Sequence, residues 1–322
     1  MENYKTKTPV VLFFFLRFES TMKVIDEIRK AKPAKVYLVG EGHRPDRVGE
    51  KEKVEQLRNL VEQRIDWDCE IYKNYVPEDI GAGRRIASGI SWVFEHEERA
   101  IFLEDDVVPS QSFFKYCDEM LDFYADDKRI MAISGSNSVP EFQFDGDYTF
   151  SNVAHIWGWA TWKRAWEHYD FEMKKWPSYK KSGLLRGAFN NKVFYEFRCD
   201  EFDHAAKGIT HTWDYQFSFH FLINSGLAII PKTNMIANIG LGPNATNTIH
   251  KKEMTFGIAE EMKFPIQFKE YVVHDDAFDD YYFRNILFRS YYKNPWFWFK
   301  YRVKKILPNK VVLRIRKLFK KS

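Results

Sequence analysis

The 322-residue sequence predicts an α/β fold in which a mostly parallel central sheet is flanked by helices. Three observations predict it. Short apolar runs alternate with segments of helical spacing between residues 8 and 109. The runs are apolar at consecutive positions, as in strands buried on both faces. Turn-forming residues separate the segments.

The elements follow in order. Val10 to Leu16 is a continuous apolar run and predicts the first strand; Val24, Ile25, Ile28 and Ala31 recur at helical spacing after it, and Val36 to Val39 predicts a second strand. A charged helix carries Val54, Leu57, Leu60 and Val61 on one face, and a strand is expected around Cys69 to Tyr72. After Gly81-Ala82-Gly83, the residues Ile86, Ile90, Val93 and Phe94 mark a helix, and Ala100 to Leu103 a strand. An aromatic helix (Phe113, Tyr116, Cys117, Met120, Leu121, Tyr124) and the strand Ile130 to Ser134 come next. Gly135 to Tyr148 reads as a surface loop, and from residue 150 onward periodicity does not settle the order of elements.

Hydrophobic residues make up 45% and aromatics 17%, which suffices for a large core in one α/β domain. Cys69, Cys117 and Cys199 are odd in number and widely spaced, which fits reduced thiols in a cytosolic protein and no structural metal. The first apolar run lacks a basic leader and a cleavage site, and no run reaches about 18 apolar residues, so neither a signal peptide nor a membrane span is expected. Charge is unevenly placed: Tyr281 to Ser322 holds 13 Lys and Arg and no acidic residue, leaving 36 basic against 45 acidic residues before it. Such asymmetry points to an anionic surface as partner for the tail.

The strand Ala100 to Leu103 leads directly into Glu104-Asp105-Asp106. Adjacent carboxylates repel, so a strand end that gathers three commonly gives them a cation. Ligands of open sheets bind at the carboxyl ends of strands, where this triplet falls. Hard oxygen ligands suit Mn²⁺ or Mg²⁺, which can bridge a carboxylate and a diphosphate. Taken alone, the triplet reads more readily as a solvated acidic turn after a core strand; the neighbouring motifs reverse that reading.

The stretch from Gly81 to Pro109, GAGRRIASGISWVFEHEERAIFLEDDVVP, resembles the sugar-nucleotide-binding segment of GT-A glycosyltransferases. It is most similar to bacterial hemolysin-like nucleotide-diphospho-sugar transferases and more distantly to the N-acetylglucosaminyltransferase of complex N-glycan synthesis. The resemblance covers roughly residues 8 to 250 and implies a metal-dependent, Rossmann-like GT-A enzyme. By it, Asp106 is the direct metal ligand, Glu104 and Asp105 bind the ribose or support the metal shell, and Arg85 is a donor contact. Arg17, after the first strand, takes the place of an Arg that reaches the diphosphate; Glu41, in Gly40-Glu41-Gly42, that of an acid that reads the base.

Two further segments match. HIWGWATWKRAW, His155 to Trp166, corresponds to the acceptor side of the cleft; most of its indoles read as core, with Gly158 and Trp159, and Trp213 further along the chain, the expected acceptor or cleft residues. In THTWDYQFSFHF, Thr210 to Phe221, Asp214 follows Trp213 among large aromatics that desolvate a carboxylate and raise its pKa, and the resemblance makes it the catalytic base. A helix cap is the other reading of Asp214. Asn238 to Thr248 resembles a lid over the donor, with Gly240, Gly242 and Asn247 in it; Pro243 and Asn244 stand where the family has acidic residues, and Asn247 where it has a His.

The expected organisation is a GT-A domain over 1–280, with a nucleotide-sugar half (8–134) and an acceptor half (150–250), then a helical, basic, aromatic extension over 281–322. Trp296 to Phe299 beside Lys300, Arg302, Lys304 and Lys305 forms an aromatic belt next to a basic cluster. After Pro308, Val311, Val312, Ile315, Leu318 and Phe319 oppose Lys310, Arg314, Lys317 and Lys321. That is the pattern of an amphipathic helix on an anionic membrane, so residues 296–321 are expected to hold the protein on the inner face of the plasma membrane. A basic helix packed on its own domain is the alternative. No nucleic-acid motif is present.

The function expected from these readings is inverting transfer from a nucleotide-diphosphate-sugar, a UDP-sugar by resemblance, to a hydroxyl of a lipid-linked glycan in bacterial surface polysaccharide synthesis. Two rivals are a sugar nucleotidyltransferase and a non-catalytic membrane-bound scaffold or lytic protein. The first normally has a Gly-rich phosphate loop after its first strand, and Phe13 to Thr21 has no glycine.

Overall fold

A computed structural model of the protein describes residues 4–240 and 258–288. The described chain runs through β1 (Val10–Phe14), α1 (Phe18–Ala31), β2 (Lys35–Gly40), α2 (Glu50–Arg64), β3 (Glu70–Tyr75), α3 (Ala82–Val93), β4 (Arg99–Glu104) and β5 (Val107–Pro109). It continues with α4 (Gln111–Phe123), β6 (Ile130–Ser134), β7 (Tyr148–Ser151), β8 (Trp159–Trp162), α5 (Lys163–Trp166), α6 (Trp176–Ser182), α7 (Lys192–Ala206) and α8 (Asp214–Ile223). β9 (Leu227–Pro231), β10 (Ile236–Asn238) and α9 (Asp276–Tyr282) complete it.

Eight strands form the central sheet in the order β3-β2-β1-β4-β8-β6-β9-β7. β3, β2, β1 and β4 are mutually parallel, and β6 is parallel to β9; β8 runs antiparallel to β4 and β6, and β7 to β9. The expected α/β class, with a mostly parallel sheet between helices, is therefore the observed one. Its apolar runs follow from burial on both faces: Val11 and Phe13 of β1 join the core cluster that contains α3 and α8, while Val10, Leu12 and Phe14 join the one under α1 and α4.

α1 buries Val24, Ile25, Ile28 and Ala31, as their spacing requires, and ends where Lys32 takes the left-handed conformation just before Pro33. α2 buries Val54, Leu57 and Val61, but Leu60 stays exposed, because an apolar stripe at i, i+3 and i+7 leaves the i+6 position at its margin. The 135–147 segment has no strand or helix, yet it is not wholly on the surface. Ser136, Asn137 and Val139 are buried, and the Asn137 N–H donates to Asn234 Oδ1 at 3.1 Å, so a side chain supplies what a ladder would have.

Residues 281–288, which the sequence assigns to the basic tail, pack into the core through Tyr282, Phe283 and Phe288. No helix among the described residues is long and apolar enough to cross a membrane. The remainder of the tail, including 296–321, and the lid positions Gly242 and Asn247 lie outside the described residues.

The topology creates one crevice that matters. β1 has β2 on one side and β4 on the other, so the chain leaves β1 and β4 at neighbouring carboxyl ends where the strand order reverses. Phe13 is in register with Glu104 and Phe14 with Gly40, which brings residues 15–17, 41 and 104–106 to the same edge. A second, two-stranded ribbon pairs β5 with β10 antiparallel, so the segment ending at Gly240 returns beside the triplet.

Candidate functional site

The turn that ends β1 meets the triplet directly. The Phe15 N–H donates to Asp105 Oδ2 at 2.8 Å. Arg17 Nη1 donates to Asp105 Oδ1 at 3.1 Å and makes a short ion pair with Asp106 Oδ2. One guanidinium nitrogen therefore bridges two carboxylates, and a third of the Arg17 side chain stays open to solvent. Asp105 and Asp106 are nearly buried, and Glu104 is partly exposed.

Desolvation pushes Glu104 up to about 8, with the Asp106 and Asp105 carboxylates adding to it. Desolvation also moves Asp105 to about 7 against the opposing pull of Arg17. The site thus holds three carboxylates with one fixed cation among them. Extra positive charge, or substrate that brings its own, is favoured there.

Gly240 closes the other side. The Ile239 N–H donates to Asp106 O at 2.8 Å, and the Gly240 N–H to Asn238 Oδ1 at 2.9 Å. A Cβ at Gly240 would lie 1.9 Å from Asp106 Oδ2, so only glycine lets the backbone come this close to the carboxylate.

Asp214 is the first residue of α8 and is partly exposed. Its Oδ1 accepts a short hydrogen bond from Thr212 Oγ1. Burial raises its pKa, with the Thr212 bond acting the other way. Its charge acts on Glu104. Backbone contact joins the two halves here: a Cβ at Gly83, in the first turn of α3, would lie 2.9 Å from the Thr212 carbonyl carbon.

An aromatic stack underlies the crevice. Phe13, Phe102, Trp159 and Trp213 follow one another at centroid distances of 6.3, 5.0 and 5.6 Å, all stacked, linking β1, β4 and β8 to the residue before Asp214. Trp159 and Trp213 are 3% and 4% exposed. Both rings are floor beneath the crevice: β8 buries Trp159 with the rest of Trp159–Trp162, and Trp213 stacks on Trp159. Gly158 is also buried, and its carbonyl accepts from the Gly135 N–H at 2.7 Å.

Glu41 and Arg85 lie at the β2 side of the crevice. Glu41 is 6% exposed; its Oε1 accepts from the N–H groups of Gly42 (2.9 Å) and Ile80 (3.3 Å), and its Oε2 is buried with no partner. Burial raises its pKa. Arg85 is buried, and its guanidinium donates to Gly40 O at 3.1 Å and to Asn74 Oδ1 at 2.9 Å. Burial lowers its pKa to about 10. Arg85 is thus a strut between the ends of β2 and β3, with Nε and Nη2 on protein oxygens.

The structure therefore brings Arg17, Glu104, Asp105, Asp106, Asp214 and Gly240 to one crevice, and sets Trp159, Trp213 and Gly158 beneath it. Sequence reasoning missed Phe15, Thr212 and Asn238, which act through a backbone N–H and two short polar side chains. Among the described residues no three His, Cys, Asp or Glu side chains converge as a metal cage.

No protein-family model and no curated protein sequence matches the chain. Among solved structures, the chain is similar to the mannosyltransferase PcManGT from Pyrobaculum calidifontis in complex with GDP-Man and Mn²⁺, at 14% identity and a TM-score of 0.33, over 50% of this chain and 45% of that one. It is similar to S. aureus TarS 1–349, at 9% identity and a TM-score of 0.39, over 73% of this chain and 60% of that one. HddC from Yersinia pseudotuberculosis complexed with GMP-PN matches at 12% identity and a TM-score of 0.33, over 53% of this chain and 85% of that one. The chain spans less than two thirds of the first two. These are distant likenesses of chain trace, and the chemistry of the crevice is read from its own residues.

Proposed function

We propose that the protein is a GT-A-type glycosyltransferase that moves a sugar, with inversion, from a nucleotide-diphosphate-sugar to an acceptor hydroxyl. The observation that carries this reading is the meeting of Asp105, Asp106 and Arg17 at the β1 and β4 carboxyl ends, with Asp214 joined to β4 through the stack of Phe102, Trp159 and Trp213. A fixed cation and a carboxylate pair suit a diphosphate and its counter-ion; a separate, partly exposed carboxylate in a desolvated setting suits a general base.

In the step itself, an Asp214 carboxylate oxygen accepts the acceptor's hydroxyl proton as that oxygen attacks the anomeric carbon. The bond from that carbon to the diphosphate oxygen breaks, and the nucleoside diphosphate leaves with the electron pair. Arg17 offsets the charge that builds on the diphosphate. Thr212 orients Asp214, and the aromatic stack fixes its distance from β4.

Mn²⁺ or Mg²⁺ fits the donors present. Such an ion commonly takes one or two carboxylates and fills its remaining positions with phosphate oxygens and water, so it needs no three-residue cage. Asp106, with Asp105 behind it, would hold the ion, and the chemistry supplied would be neutralisation of the departing diphosphate. The unpartnered Oε2 of Glu41 is an acceptor suited to a base that offers a ring N–H beside a carbonyl, which uracil does and adenine does not. The basic aromatic segment 296–321, read from sequence alone, would bring this site to an anionic membrane and a lipid-linked acceptor.

The test is hydrolysis and transfer across a panel of nucleotide-sugars, with Mn²⁺ and with chelator. Asp106→Ala is expected to abolish the metal response, and Asp214→Asn to stop transfer while donor binding persists. Activity indifferent to both changes would end this reading.

A further inference from the structure

Residues 174–192 carry six Lys or Arg and no acidic residue, and the chemistry above uses none of them. The segment folds as α6, a left-handed turn at Gly183 and a 3₁₀ turn over Leu184–Ala188 that leads to α7. Its large apolar side chains mostly face inward. Trp176 Nε1 donates to Asp203 Oδ1 at 2.9 Å, its ring meets Phe202 and Phe219 at 5.1 and 5.6 Å, and Leu185 and Phe189 are buried. Lys174, Lys175, Lys181 and Arg186 are left exposed, and none of the four forms an ion pair among the described residues, whereas Lys180 and Lys192 pair with Asp203 and Glu196. Leu184, between Lys181 and Arg186 in the turn, is 71% exposed.

The last described residues lie beside this surface. Phe189, which follows the 3₁₀ turn, packs on Phe194 at 5.0 Å; Phe194 stacks on Phe283 at 4.2 Å, and Phe288 meets Phe197 at 5.7 Å. Asn191 Nδ2 donates to Asp280 Oδ1 at 2.9 Å. The beginning of α7 therefore receives both the exposed turn and the point from which the chain continues, and beyond Phe288 the sequence adds twelve more Lys and Arg and no acid.

A single leucine in water is ordinary; a leucine flanked by four cations that no carboxylate neutralises is not an arrangement that folding requires. Clustered cations repel, and an approaching anionic surface relieves that repulsion. A soluble phosphate would satisfy the cations and leave Leu184 in water. A bilayer offers headgroup phosphates and, beneath them, acyl chains. Single-stranded nucleic acid would seek exposed rings to stack on, and Trp176 and Phe189 are buried. We propose that α6 and the turn Gly183–Ala188 form a docking surface for an anionic phospholipid bilayer, with Lys174, Lys175, Lys181 and Arg186 on the headgroups and Leu184 entering the acyl boundary. The surface is tied to the crevice, because Trp176 rests on Phe219 of α8, the helix that begins with Asp214.

The test sediments the full chain with vesicles of phosphatidylcholine, alone or mixed with phosphatidylglycerol. No nucleotide-sugar is present, so the result is separate from the sugar-transfer reading. Each cation near an anionic leaflet changes partitioning by roughly fivefold, so Lys181→Gln with Arg186→Gln is expected to weaken binding to the mixed vesicles by about 25-fold. Leu184→Ser should weaken it by about tenfold with the salt dependence unchanged. Lys51→Gln with Lys53→Gln removes the same charge from exposed positions on α2 and should cost less than about threefold. Partitioning that is equal for the unmodified, Leu184→Ser and Lys181→Gln/Arg186→Gln chains would overturn the proposal and leave any binding to the basic tail. An α2 loss as large as that at 181 and 186, or a loss of oligonucleotide binding with vesicle binding unmoved, would overturn it too. All the substituted side chains are exposed, so thermal unfolding should stay near normal; should one variant melt early, the other decides.

Discussion

Gly240→Ala is the sharpest test of the crevice, because it adds one methyl group and removes nothing. That methyl would lie 1.9 Å from Asp106 Oδ2, 2.6 Å from its Cγ and 2.8 Å from its Cβ. Non-bonded heavy atoms need roughly 3.5 Å, so the carboxylate must retreat by about 1.5 Å or the 239–240 backbone must move. The backbone is held by the Ile239 N–H on Asp106 O and the Gly240 N–H on Asn238 Oδ1, so the carboxylate is the part that yields. A displacement of about 1 Å at a positioning group can cost ~100-fold in rate. Turnover of the nucleotide-sugar is expected to fall by about that factor, with weaker Mn²⁺ dependence and near-normal thermal unfolding. The same change in an Asp106→Ala background should cost almost nothing more, since the group it strikes is gone. Equal losses in both backgrounds, or no loss in either, would refute the argument that Gly240 exists to admit Asp106.

Three other outcomes follow from the same geometry. Asp214→Asn removes the proton acceptor while keeping shape, and kcat should drop by ~100- to 10,000-fold with little change in KM, measured by steady-state transfer. Trp159→Ala opens the stack between Phe102 and Trp213 and should destabilise the fold by about 3–5 kcal/mol in urea unfolding; a loss of activity at unchanged stability would mean the indole serves substrate instead. His155 is buried, shares its Nδ1 with Ser136 O at 3.3 Å, and is held by desolvation at about 4, below the ordinary 6.5. The unfolded chain takes up this proton before the folded one does, so stability is intact above pH 6.5 and falls by about 1.4 kcal/mol per unit down to pH 4. Urea midpoints across that window should therefore fall less steeply for His155→Gln than for the unmodified protein.

The first half of the fold was legible because its strands are buried on both faces and its helices on one. Val10 to Phe14 could hardly be anything but a central strand, and the α1 stripe ends at a left-handed Lys32 before Pro33. The triplet was legible because strand and acids are contiguous. Beyond residue 150 the strands are short, one is antiparallel in a parallel neighbourhood, and aromatic residues fill both helices and strands, so no single period dominates. Trp159 and Arg85 illustrate the same limit at the site. An indole facing sugar and an indole buried in a stack have one sequence signature, and so do an arginine on a phosphate and an arginine on two backbone carbonyls.

By itself the sequence determined the α/β class, the strand that delivers Glu104-Asp105-Asp106, and the aromatic setting of Asp214, since each depends on residues adjacent in the chain. Only the tertiary structure decided which groups share a crevice. Arg17 is 88 residues from Asp105, and Gly240 reaches Asp106 through a ribbon made of β5 and β10. Hydrophobic patterning fixes which face of an element is buried; it carries no information about which carboxyl ends become neighbours, because that is set by strand order.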